Sequence, residues 1–217
     1  ELIESLTKYK IRSKVDIEDL SPNFIVGVIN FENFKIIQKE FGKQETTFEF
    51  RDSTIFVDPR DNDLGARIIS PLEKLYLTVK KLNLKIVENK SYLEKAFFKG
   101  IPIEGLNNLQ NQLFGLEINF EKLNAIDFKK GCYVGQENTA RMKLKEKISR
   151  RIYPIEIIEG NIANDDIIKI NNNEIGKIVN NSKFSFGLFK FKDPNFKLDQ
   201  ILSTEKAKIK VLKPFWS

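Results

Sequence analysis

Apolar residues recur along the chain in two textures: a few helical stripes in the first two thirds, and short β-type runs at regular intervals in the last third. Over Glu1 to Lys10, Leu2, Ile3, Leu6 and Tyr9 fall on one face and predict a helix. Val15 to Ile17 and Phe24 to Ile29 read as short strands, the second almost wholly apolar. Phe48 to Phe50 and Thr54 to Val57 are placed to pair across the polar Arg51-Asp52-Ser53, and the turn residues of Asp58-Pro59-Arg60-Asp61-Asn62-Asp63 break the chain after them. Leu72, Leu75, Tyr76 and Val79 predict a helix over Pro71 to Lys81. Ser91 and Glu94 have the spacing of a capping box, with Leu93, Ala96 and Phe97 on one side and Gly100-Ile101-Pro102 as the stop. Leu106 to Asn124 is ambiguous, but Phe114, Leu116, Ile118 and Phe120 alternate as a strand would.

Beyond Lys147 the pattern becomes uniformly β-like. Ile152 to Ile158, Ile167 to Ile170, Ile175 to Val179, Phe184 to Phe191 and Ala207 to Leu212 are separated by Gly, Asn and Asp clusters. Asn171-Asn172-Asn173 marks a hairpin tip. Such spacing predicts a small barrel or sandwich, with a domain boundary near residues 146–150.

Composition narrows the chemistry. The chain has 217 residues, 41% hydrophobic and 30% charged, enough to bury a core as one large domain or two modest ones. No apolar stretch approaches the roughly 18 residues that cross a bilayer. Glu1-Leu2-Ile3-Glu4 has no signal-peptide character, and the missing initiator Met suggests a fragment or processed form. With no histidine and one cysteine, the chain cannot form a Cys–His or Ser–His nucleophile pair, and cannot complete a zinc or iron–sulfur site from its own soft ligands. The net charge of +6 favours anionic partners, although the joint excess of Lys, Asn, Ile and Phe is also what an AT-rich genome produces.

The single cysteine stands in Phe128-Lys129-Lys130-Gly131-Cys132-Tyr133-Val134-Gly135-Gln136-Glu137. Gly131 and Gly135 permit positive φ or close backbone approach on either side of it. Lys129, Lys130 and Arg141 supply positive charge of the kind that favours a thiolate. A lone cysteine is either a small core residue or a reactive group, and the residues by themselves leave both open.

The run from Lys130 to Glu137 resembles the signature of the YgfZ family, the folate-binding relatives of the glycine-cleavage T-protein that include mitochondrial iron–sulfur assembly factors. Asp58-Pro59-Arg60 with Leu64-Gly65-Ala66-Arg67 is similar to that family's DPR…LGxR segment, and Gly100-Ile101-Pro102-Ile103-Glu104-Gly105 to its GIPEG turn with one insertion. Glu117-Ile118-Asn119 through Leu123-Asn124 resembles its ExNxxxLN approach to the cysteine loop, Arg150-Arg151 opens the C-terminal β module, and Ile175-Gly176-Lys177-Ile178 resembles a short glycine hairpin. Three departures stand out. The family has a further N-terminal stretch, whose absence would expose a sheet edge. Ala96-Phe97-Phe98 replaces an Arg-Leu-Glu segment, and Gly115 replaces a proline. The missing acid speaks against aminomethyl transfer.

The resemblance implies an α+β fold: an N-terminally incomplete T-protein-like folate-binding domain over 1–146, followed by a β-barrel domain over 147–217. It implies an accessory factor, more so than an enzyme, in iron–sulfur cluster assembly or repair, linked to tRNA-modifying and other cluster enzymes in the bacterial cytoplasm or the mitochondrial matrix. The alternative is a tetrahydrofolate-dependent aminomethyl- or methyltransferase. Cys132 is the implied functional thiol, either a redox group or one ligand of a [2Fe-2S] cluster shared with an A-type scaffold protein or client enzyme. Glu117 is the candidate for the donor edge of a tetrahydrofolate pterin, because a carboxylate accepts two N–H bonds at once. Lys130, Gly131, Tyr133, Gly135, Gln136, Glu137 and Arg141 complete the candidate site, with Lys130 and Arg141 facing the folate glutamate tail. Tyr133, Gln136 and Glu137 equally suit a role in shaping the loop. Arg60 and Arg67 are read as ties between a turn and a neighbouring carboxylate. The Lys143, Lys145, Lys147, Arg150, Arg151 series lacks interleaved aromatics, which speaks against direct RNA binding.

Overall fold

A computed structural model describes all residues except 1, 43, 106–108, 110, 111, 133, 134 and 146. The chain divides into two compact units, Glu1–Asp58 with Gly65–Val87, and Pro59–Leu64 with Glu88–Ser217.

The first unit contains helix α1 (Leu2–Lys10), strand β1 (Phe24–Ile29), helix α2 (Phe31–Glu40), strands β2 (Thr47–Phe50), β3 (Ser53–Val57) and β4 (Ala66–Pro71), and helix α3 (Leu72–Lys81). The strands form an antiparallel sheet in the order β1-β4-β3-β2. The β2–β3 hairpin forms where the sequence predicts it, with Arg51 and Asp52 both left-handed (φ 52° and 59°), as a two-residue turn between right-twisted strands requires. One sheet face packs Phe48, Ile55, Ala66 and Ile68 against Phe34 and Ile37 of α2. Asn30 caps α2 by accepting from the Asn33 amide at 2.7 Å. Gly65 (φ 84°) is obligatory, because a Cβ there would lie 2.0 Å from the Ile29 carbonyl oxygen. Val26, Val28 and Ile69 remain exposed on the opposite face. Leu2, Leu6, Leu20, Phe24, Val26 and Ile69 line an open groove there of about 690 Å³.

Two elements of this unit depart from expectation. Val15 to Ile17 is not a strand. The run after Gly65 is one: β4 pairs with both β1 and β3, from Ile29↔Ala66 to Phe24↔Pro71 on the first side.

The second unit is built around a closed antiparallel barrel. Its strands are β5 (Arg151–Gly160), β6 (Ile167–Ile170), β7 (Asn173–Asn180), β8 (Phe186–Phe189), β9 (Ile201–Ser203) and β10 (Ala207–Val211), in the order β10-β5-β8-β7-β6-β9. Closure removes every free sheet edge. Asn171 and Asn172, both left-handed, make the predicted hairpin tip between β6 and β7. Gly176 lies within β7, not in a turn, where a Cβ would come 2.4 Å from the Leu188 carbonyl oxygen.

Alternation along β5 and β8 serves two cores. Tyr153, Ile155 and Phe189 point into the barrel with Ile168, Ile175, Ile178, Ile209 and Val211. Ile152, Phe186 and Leu188 point outward and pack Phe97, Leu109 and Ile118 onto the barrel wall. Phe97 belongs to helix α4 (Lys90–Phe98), which starts at Asn89 without a side-chain cap. The Ser91–Glu94 capping box is therefore absent; Ser91 lies inside the helix, and Glu94 sits 4.0 Å from Lys90 and Lys183. Leu106 to Asn124 is likewise not a strand where it is described: residues 115–124 form successive turns, with Asn119 and Asn124 left-handed. Leu116 and Ile118 are buried all the same, so the alternation reported burial without a strand. Helix α5 (Gln136–Leu144) completes the unit.

Candidate functional site

Glu117 sits in the turns that follow Phe114, and the fold commits it fully. It is only 4% exposed. Its Oε1 accepts from Arg150 Nε at 2.9 Å and from Nη2 at 2.8 Å, and its Oε2 accepts from the Phe114 amide at 3.1 Å. Backbone bonds fix the same turn to the barrel. The Ile152 amide donates to the Glu117 carbonyl at 2.9 Å, and Asn119 Nδ2 donates to the Ile152 carbonyl at 2.9 Å. The Glu-x-Asn spacing thus works as a hook: two residues of one turn grip both polar groups of Ile152, the first barrel residue buried on the outer wall. Sequence reasoning missed Arg150 and Asn119 as the partners in this hook, although the paired Arg150-Arg151 beside a strand start was visible.

The cysteine loop has the opposite character. Asp127 Oδ1 accepts from the Lys129 amide at 2.8 Å and closes a turn ahead of the thiol. Lys130, Gly131 and Cys132 are exposed, and Cys132 is a free thiol. A Cβ added at Gly131 or Gly135 would meet nothing within 4 Å, so open space surrounds both glycines. Tyr133, a candidate loop residue, lies outside the described residues.

Gly135 adopts φ 85° and ψ 0° and precedes α5, so Gln136 and Glu137 are helical and not loop residues. Glu137 occupies the first turn, where a carboxylate complements the helix dipole. Arg141 is exposed on the same helix. Lys143 ties the helix down: its ammonium pairs with Glu121 and lies 5.7 Å from the centroid of the Phe128 ring. Cys132, Gln136, Glu137 and Arg141 therefore share one loop–helix element, whereas Glu117 is part of the barrel-bound hook.

The DPR…LGxR segment serves as scaffold. Arg67 lies 3.5 Å from the buried Asp58, the turn-to-carboxylate tie the sequence suggests. Arg60 Nη2 donates to the Tyr92 hydroxyl at 3.0 Å. Asn124 Nδ2 donates to the Pro59 carbonyl at 2.8 Å. Lys99, at the end of α4, donates to Asp61 at 3.0 Å and to Asp63 at 2.5 Å. Burial pulls the Lys99 ammonium down, but its bonds to Asp63 and Asp61 outweigh this and hold it above its ordinary value. The Lys99 hydrogen bond and charge hold Asp63 below the usual carboxylate range.

As placed, Glu117 offers a pterin no free carboxylate edge. The one carboxylate suited to a pterin has both oxygens taken by Arg150 and Phe114. Open hollows lie at the barrel end around Asp165 and Thr204 and along the α1–β1 groove. The Asn119 Oδ1 atom is buried without a partner, but its residue is locked in the hook. Among the described residues no group of three or more His, Cys, Asp or Glu side chains is placed to hold a metal ion, and no helix is long and apolar enough to cross a membrane.

Comparison with known proteins gives consistent relatives, although no family model matches the chain. The mitochondrial iron-sulfur cluster assembly factor IBA57 homolog of Dictyostelium discoideum is 33% identical over 159 residues, covering 71% of this chain and 38% of that protein. The tRNA-modifying protein YgfZ of Buchnera aphidicola subsp. Schizaphis graminum is 30% identical over 188 residues, covering 83% of this chain and 55% of that protein. The chain thus spans from 38% to 55% of the length of these two relatives. Among solved structures, the glycine cleavage system aminomethyltransferase T from Bartonella henselae matches with a TM-score of 0.56 at 14% identity, covering 84% of this chain and 56% of that one. That likeness shows the fold: T-protein-like α+β, ending in a closed barrel.

Proposed function

This chain is a homologue of the YgfZ and IBA57 proteins, and we propose that it is an accessory factor in iron–sulfur cluster assembly or repair, serving tRNA-modifying and other cluster enzymes. The observation that carries this reading is the exposure of Cys132, the only cysteine in the chain, in a loop with open space at both flanking glycines. A structural cysteine would be expected in apolar surroundings.

The cluster is cargo. Cys132 gives up its thiol proton and forms one Fe–S bond, displacing one existing ligand of a [2Fe-2S] cluster. No change of oxidation state is needed, and an A-type scaffold or client enzyme supplies the other ligands. One soft ligand per chain makes such sharing obligatory. The bacterial cytoplasm and the mitochondrial matrix both suit this role, since relatives of both kinds exist.

The test is anaerobic reconstitution with iron, sulfide and an A-type scaffold, comparing the wild-type chain with Cys132→Ser by visible absorption and native mass spectrometry. A mixed complex that holds a cluster only when Cys132 is present is expected. A cluster-bearing complex that ignores Cys132→Ser would remove the thiol from the mechanism.

The T-protein fold favours a second reading, folate-dependent aminomethyl or methyl transfer, and with it tetrahydrofolate as a ligand. On that reading Cys132→Ser is tolerated and transfer depends on an acid at the pterin. The engagement of Glu117 and the presence of Ala96-Phe97-Phe98 leave that acid unsupplied here.

A further inference from the structure

We propose that the outward face of α5, formed by Arg141, Leu144 and Lys145, docks an acidic protein surface that offers an apolar contact to Leu144. This deepens the reading of Cys132 as a thiol that shares its cargo with a protein partner, and rests on it.

The first observation is that α5 buries none of its nine residues. A helix this short is marginal in isolation and normally persists by packing an apolar face. The inward positions Gln136, Thr139 and Ala140 are only half-buried, and Lys143 supplies the tether to Glu121 and Phe128. The second is the composition of the outward face. Arg141, Leu144 and Lys145 stand at i, i+3 and i+4 and so share one side of the helix. Leu144 is 82% exposed.

The third is charge. From Asp127 to Arg150 the sequence carries seven Lys or Arg against three Asp or Glu. Two of these cations are spent internally, Lys143 on Glu121 and Arg150 on Glu117. Among the described residues, Lys129, Lys130, Arg141, Lys145 and Lys147 have no ion pair. The loop that presents Cys132 and the helix that follows it thus carry an excess of positive charge beside two exposed apolar side chains, Leu144 and, less so, Phe128.

That arrangement selects a partner class. Phosphate backbones would use the cations but gain nothing from Leu144, the most exposed apolar side chain of the helix. A protein surface with carboxylates around an apolar contact uses both features. Attraction between the two charged faces would steer encounter and weaken as salt rises.

The experiment is fluorescence anisotropy of a labelled amphipathic Glu/Leu helical peptide titrated with the full chain, with bulk tRNA as competitor. The Arg141→Glu/Leu144→Ser/Lys145→Glu variant is expected to bind at least tenfold more weakly, and Leu144→Ser alone about threefold. Lys14→Glu/Lys206→Glu, a charge-matched control on exposed positions elsewhere, should change affinity less than twofold. All substituted positions are exposed, so circular dichroism should be unchanged. Equal losses in the control and the α5 variant would overturn the proposal, as would tRNA displacing the peptide with no response to Leu144→Ser. Cys132→Ser should leave peptide binding unchanged, so this proposal and the cluster-ligand role of Cys132 fail by separate measurements.

Discussion

The barrel interior and the loop–helix element from Lys129 to Lys145 belong to the same compact unit and follow opposite rules. The barrel's buried cluster is apolar apart from the Tyr153 hydroxyl, and Phe189, Ile168, Ile175, Ile178, Ile209 and Val211 are fully buried. Tyr153 carries the barrel's polar handle; burial pushes its phenol up, with the Arg151 charge partly opposing. In the loop–helix element no helical residue is buried, and the thiol stands in the open. The difference teaches a division of labour. The barrel and its wall supply stability and a fixed platform, and the element that carries the chemistry-bearing residue is left with little to lose by binding something else.

The largest effect is expected in the platform. Phe189 packs its ring 5.2 Å from Phe196 and 6.0 Å from Tyr153. Phe189→Ala should cost about 3–5 kcal/mol, because the closed wall cannot collapse into the void. Urea unfolding followed by far-UV circular dichroism measures it. A loss below about 1 kcal/mol, the size of an ordinary surface change, would mean that the barrel is not the stable half of the pair.

The Glu117–Arg150 hook tests where the platform ends. Glu117→Gln keeps the shape but removes the charge that Arg150 grips. The Arg150 side chain is 43% exposed, so water recovers part of the loss. The expected cost is about 1–2 kcal/mol. The same variant titrated with tetrahydrofolate separates two roles. A pterin-binding carboxylate would lose folate affinity at constant stability, whereas a hook loses stability with any folate affinity unchanged.

How much of this was legible in the sequence follows the same contrast. The barrel announced itself through β-branched runs separated by Asn-rich turns, and the Asn171-Asn172 tip formed where it was read. The β2–β3 hairpin was equally plain. Strand β9 was missed because its three residues are too few to show a period. Strand β4 was missed because its pattern runs from a glycine turn straight into Pro71 and a helix. Helix α2 was not singled out, although Asn30 is a good cap. Helix α5 is not signalled in the sequence because its apolar residues make no stripe, which is the physical reason it remains exposed. The Phe114-to-Phe120 alternation misled because burial against a barrel wall, delivered by turns, imitates the period of a strand. The cysteine motif was visible by its residue types. The capture of Glu117 was not, because Arg150 lies 33 residues away and only the fold brings it back.

The smallest effect expected is at the rim of the same unit, where Lys99 bridges Asp61 and Asp63. Asp63 titrates below its ordinary value of 3.8, so the folded state binds a proton there less readily than the unfolded chain. Its stabilisation is fully present above that ordinary value and disappears as pH falls through the lower, folded value. Lys99 has the opposite sign: raised above its ordinary 10.5, it stabilises fully below that pH and loses the contribution as pH rises through the higher, folded value. Stability should therefore be insensitive to this strut between about pH 5 and 10, and Asp63→Asn should lower it by a few tenths of a kcal/mol, since most of the Asp63 side chain faces water. Thermal midpoints of wild type and Asp63→Asn across pH 2–10 test it. The two curves should run parallel above about pH 5 and converge in acid. A gap that widens as pH falls would put the charge of Asp63 to some use other than holding Lys99.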